Sequence, residues 1–146
     1  MSILSRFRKS EEIIIDVQFG AYYSIKTSEG YNVIRLLDLP GDSYHYQIIG
    51  SVFFELPTFE VMIETEPSLL HVPVEIAALI GKEITHIGHQ VLTDKDLVGY
   101  RVYLEEMGVD DESINKHFNM LTDLSRNEPD KIRIYQDRDG VFGEYL

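Results

Sequence analysis

Residues 43–48 read Ser43-Tyr44-His45-Tyr46-Gln47-Ile48. Their alternation sets Tyr44, Tyr46 and Ile48 on one side of an extended chain and Ser43, His45 and Gln47 on the other, the pattern of a half-buried strand. Immediately before it, Leu39-Pro40-Gly41-Asp42 has proline and glycine in the order a type II turn prefers. A strand read from YNVIRLLDL, residues 31–39, enters that turn, and Ser28-Glu29-Gly30 supplies an earlier one. Further back, Ile13, Ile15, Val17 and Phe19 alternate with Glu12, Asp16 and Gln18, which predicts a strand near 11–26. On the other side, after Pro57, Phe59, Val61 and Ile63 alternate with Glu60, Met62 and Glu64 and predict a fourth strand. Connections this short join antiparallel neighbours, because a parallel pair needs a long crossover. The first 65 residues therefore predict an antiparallel meander.

Beyond residue 65 the period changes. Pro73 suits the first turn of a short helix through about Ile80, with Gly81 as its left-handed terminator. Glu83 to Val91 favours a strand, since Ile84, Thr85, Ile87 and Val91 are β-branched and Gly88 interrupts a helix. Thr93 and Asp96 form a capping-box pattern, and Leu97, Tyr100, Leu104 and Met107 recur at helical spacing up to Gly108. Gly99 lies inside that helix, where glycine costs about 1 kcal/mol relative to alanine, which points to a close approach of another backbone, that of the sheet. A second helix starts at Asp110 or Asp111, shows Ile114, Phe118, Leu121 and Leu124 on one face, and should end before Asn127. KIRIYQDRDGVFGEYL reads as a closing hairpin around Asp139-Gly140. The class expected is α+β: an N-terminal antiparallel meander packed by helices of the C-terminal half, forming a single domain over 11–146 behind a basic tail, 1–10.

With 44% apolar residues in 146, the chain has enough to bury one core without staples. It has no cysteine, which excludes disulfides, thiolate metal sites and cysteine nucleophiles and fits a reducing compartment. Neither a membrane-spanning run nor a secretory leader is legible, so a cytoplasmic protein is expected. Residues 1–10 carry Arg6, Arg8 and Lys9 and no acid, leaving 25 acidic against 10 basic residues in the remainder. A body of that sign opposes phosphate-rich ligands and points to solubility first and to a basic protein partner second, rather than to nucleic acid. Ile3, Leu4 and Phe7 lend the tail a small amphipathic character, too short for firm membrane binding.

Three of the five histidines fall in HVPVEIAALIGKEITHIGH, residues 71–89. On the strand favoured there, the three-residue spacing of His86 and His89 points their rings to opposite faces. The pair also lacks the glutamate of H-E-x-x-H. A metal-dependent hydrolase using His71, His86 and His89 with Asp94 or Asp96 is thus the second reading. Asp137-Arg138-Asp139-Gly140 lacks the twelve-residue spacing of a calcium loop and reads as a turn. The helical pair 95–107 and 111–125 opens its second helix with Asp110, Asp111 and Glu112, unsuited to a DNA groove. Tyr44 and Tyr46, with His45 and Gln47 opposite, are the candidate partner-binding residues, on whichever sheet face the helices leave open.

His71-Val72-Pro73 followed by LTDKDLVGYRVYLEEMG, residues 92–108, resembles a pattern in small uncharacterised bacterial proteins: a histidine-apolar-proline step, then an acidic, leucine-containing helix start, Gly-Tyr-basic and an aromatic-Leu-Glu ending. The chain departs from it at Tyr103, where the pattern has tryptophan. The resemblance implies a bacterial cytosolic setting, sometimes among toxin-immunity proteins, and carries over no function; no cofactor is expected. Together these readings give a non-enzymatic acidic binding protein, of the immunity or inhibitor kind, as the leading expectation.

Overall fold

The computed structural model describes residues 15–40, 43–75, 78, 81–127, 132–137 and 140–145. Its central element is a five-stranded antiparallel sheet in the order β5-β4-β3-β2-β6, built from β2 (Ala21–Thr27), β3 (Gly30–Asp38), β4 (Ser43–Phe53), β5 (Pro67–Glu75) and β6 (Ile84–His89). A second sheet in the order β1-β7-β8 joins β1 (Ile15–Val17) to the closing hairpin, β7 (Ile132–Asp137) and β8 (Gly140–Tyr145). The helices among the described residues are α1 (Phe59–Glu64), α2 (Val98–Glu106) and α3 (Asp111–Asn127). The class is α+β, as the periodicities require. No helix among the described residues is long and apolar enough to cross a membrane.

Alternation along β3 divides the core. Ile34 and Leu36 join Tyr23, Tyr44, Leu92, Leu97 and Tyr100, over which α3 lays Ile114, Phe118 and Leu121. Val33 goes to a smaller cluster with Tyr22, Ile49 and Met62 of α1. Buried apolar area of this kind is the main favourable term in folding, roughly 25 cal/mol per Å².

Three expected elements differ. The strand expected over 11–26 is two strands in two sheets: Gly20 adopts φ +84° and its amide donates to the Leu36 carbonyl at 2.8 Å. A Cβ there would stand 2.0 Å from the Gln90 carbonyl oxygen, so only glycine makes this bend. Residues 11–14 lie outside those described. The strand expected after Pro57 is α1: Thr58 caps it, its hydroxyl accepting from the Val61 amide at 3.4 Å. Helical spacing then brings Phe59 and Met62 onto the sheet and leaves Val61 and Ile63 outside. The helix expected from Pro73 begins instead as strand, with Pro73 opposite His45 in β5. An edge strand tolerates proline because its missing N–H removes no ladder bond on the open side. Residues 76, 77, 79 and 80 lie outside those described.

The expected strand at β6 and the two long helices are present. Gly108, with φ +86°, ends α2, and Asp110 caps α3 by accepting from the Ser113 amide at 3.0 Å. The Thr93–Asp96 box forms, the Asp96 carboxylate accepting from the Thr93 amide and hydroxyl, each at 2.9 Å, but on the turn before α2 rather than at its cap. Gly99 does approach backbone closely: a Cβ there would lie 2.6 Å from Leu70 Cβ and 2.9 Å from its carbonyl carbon. That contact lays α2 directly on the edge strand β5.

Candidate functional site

Two charged residues interrupt the apolar run of β3, Arg35 and Asp38, and each organises a polar site. Asp38 has no solvent exposure. Its Oδ1 accepts from the Leu39 amide at 2.8 Å, and its Oδ2 accepts from the Tyr100 hydroxyl and from His117 Nε2, both at 2.6 Å. The Asp38 hydrogen bond raises the pKa of His117. His45 and His71 lie beside this centre, their Nδ1 and Nε2 2.7 Å apart. Both rings stack on Tyr100, with centroids at 4.6 and 5.0 Å. Burial lowers the pKa of His45, and burial followed by the neighbouring His45 lowers that of His71 to about 4. A hydrogen bond between two imidazoles needs one donor and one acceptor, so this geometry excludes the doubly protonated pair. An Asp–His pair can serve as an acid–base unit. Here, however, Ser113, one turn before His117, donates its hydroxyl to Asp110 at 2.7 Å and belongs to the cap of α3.

Arg35 is 3% exposed and clamps three segments. Its Nε donates to the Gly20 carbonyl at 3.1 Å, its Nη2 to the Gln90 and Val91 carbonyls at 3.0 and 3.3 Å, and its Nη1 pairs with Asp96 Oδ1 at 2.7 Å. Its guanidinium also lies 5.1 Å from the Tyr22 ring centroid. Burial raises the pKa of Tyr22 and Arg35 opposes that shift. Gln47, opposite Arg35 in the ladder, donates its amide nitrogen to the Asp96 carbonyl at 3.0 Å. Above these groups opens a cavity of about 680 Å³, within the usual range of ligand sites. Tyr22, Arg35, Gln47 and Asp96 contribute its polar lining, Ile63, Leu70 and Val98 part of its apolar wall, and Glu66 and Lys95 opposite charges.

The open sheet face expected around Tyr44 and Tyr46 is not present. Tyr44 is 3%, His45 4% and Gln47 2% exposed. Tyr46 is partly buried, stacked on Tyr44 at 5.0 Å. The reason is that both sides of β4 are covered, by the large core on the tyrosine side and by the turn at Asp96 over Gln47. The histidines expected as alternative metal ligands go to separate partners. His71 meets His45, His86 meets Gln18 Oε1 at 3.1 Å and the Tyr23 ring, and His89 has a buried Nε2 that no hydrogen-bonding group among the described residues meets. Asp94 lines a different hollow, with Arg101 and Asn115. Among the described residues no three His, Cys, Asp or Glu side chains stand together as a metal site.

Arg35, Asp38, Tyr100 and His117 escape a reading by motif. The signal for the first two is a charge set inside an otherwise apolar strand, which burial must answer with a partner. No protein-family model matches the chain, and neither does any curated protein or solved structure.

Proposed function

We propose that this protein is a non-enzymatic, cytosolic binding protein of the immunity or inhibitor kind, and that it receives a basic protein partner on the surface formed by α1, β5 and α2. One observation carries the reading: Ile63, Leu70 and Val98 are each 44–49% exposed and line the same cavity, so three separate elements contribute to one apolar surface. Val102, one helical turn beyond Val98, extends it along α2. Contiguous exposed apolar area rimmed by polar groups marks interaction sites. The charge on its α1 side is one-sided, since residues 51–70 hold Glu55, Glu60, Glu64 and Glu66 and no Lys, Arg or His, while Lys95 stands on the opposite rim. Acidic rims steer basic partners and apolar centres hold them. The net charge of −12, the absence of cysteine and the resemblance to immunity-type proteins support the same reading.

The test is affinity capture from the source cell with wild type and with a Val98→Glu/Val102→Glu double variant. Both side chains are about half exposed, so the variant folds. A basic protein retained by wild type at low salt, released at high salt and lost by the variant is the expected result. Equal retention by the variant moves the contact elsewhere and refutes the assignment.

A further inference from the structure

We infer that the cavity between α1, β5 and the turn before α2 accepts one long basic side chain, arginine or lysine, as the anchor of the partner. This rests on the binding reading above and names what enters its centre. The floor decides the ligand class. Arg35 looks at first like an anion receptor, but four of its five N–H donors are engaged by carbonyls and by Asp96. The Asp96 carboxylate also neutralises its charge.

The vacant valence is an acceptor. Gln47 is 2% exposed and lines the cavity; its amide nitrogen is committed to the Asp96 carbonyl, and no donor among the described residues meets its amide oxygen. Glu66 adds a carboxylate that makes no ion pair among the described residues. Between them run the apolar walls of Ile63, Leu70 and Val98, suited to the methylene stem of a lysine or arginine, which buries along apolar surface while its head keeps polar partners. Lys95, exposed on the rim, opposes a cation. Removing it therefore has a defined sign.

The measurement is a titration of the isolated full chain followed by amide NMR, with n-butylguanidinium, n-butylammonium, n-butanol and acetate as separate probes. Either cation should shift the amides of residues 47, 66, 70 and 96 saturably. Glu66→Gln should weaken that binding about fivefold, and Lys95→Ala should tighten it two- to threefold. Both substitutions are at exposed positions, so folding is preserved. Equal shifts with butanol would reduce the cavity to an apolar pocket, shifts with acetate alone would make it an anion site, and no shifts would leave it without a ligand; each overturns the inference. A partner captured through Val98 and Val102 without any cation effect sinks the anchor and leaves the binding reading standing. Saturable cation binding with no captured partner does the reverse.

Discussion

Asp38 is the residue on which the buried polar site between β3, α2 and α3 depends. It has no contact with solvent and accepts three hydrogen bonds, two of them from side chains 62 and 79 positions away. Asp38→Ala would remove the acceptor that the Tyr100 hydroxyl reaches and the counter-charge of His117, a loss of about 3 kcal/mol. Urea denaturation should show that loss, whereas a change under about 1 kcal/mol would mean the network relaxes around the gap. The histidines add a pH dependence of two signs. His71 has a folded pKa of about 4, below its ordinary 6.5, and His45 is lowered in the same direction. Between those values the unfolded chain binds more protons, so stability should rise with pH from about 4 and be complete above about 6.5. His117 is raised by Asp38, so its contribution is full below 6.5 and fades as pH rises through its folded value. Thermal melts should therefore pass through a maximum near neutrality. His71→Leu should flatten the acid limb alone, and His117→Asn the alkaline limb alone; an unchanged profile in either would contradict the assignment. In the sequence, Arg35 and Asp38 stand out as charges in an apolar run. Their partners do not, because only the register of β3 against β4 and the docking of α2 and α3 bring residues so distant together.

At the scale of elements, Gly99 is legible because a glycine within a helical pattern needs a reason, and its contact with Leu70 is that reason. Gly99→Leu should lower the melting temperature by several degrees, since the added side chain would have to lift α2 from the strand backbone. A melting temperature equal to wild type would place this face of α2 in solvent. Alternation over 43–48 and the spacing of α3 also read correctly, being long patterns with few alternatives. Shorter ones failed for identifiable causes. Phe59, Val61 and Ile63 alternate, yet Phe59 and Met62 are also one helical step apart, and the Thr58 cap settles the choice. Pro73 has the φ of a helix start and of an edge strand alike, and edge status is a property of the whole sheet. The bend at Gly20 breaks a continuous alternation that nothing local distinguishes from one long strand.

For the whole molecule, the decisive property is where an acidic chain leaves apolar surface uncovered. Alternation alone could not locate it: the tyrosine-bearing strand β4 lies second from the sheet edge and is covered on both sides, while the exposed valines and leucines collect on the edge strand and the helices beside it. Binding there should weaken between low and high salt, because the steering charges are exposed and salt screens exposed charges beyond a Debye length of about 8 Å at physiological ionic strength. The most direct measurement is photo-cross-linking in the source cell with a photoreactive residue at Leu70 on β5, or at Met120 on α3, both of them exposed. The account predicts a salt-sensitive adduct with a basic protein from position 70 and none from position 120. An adduct from position 120 alone, or from neither, would contradict it.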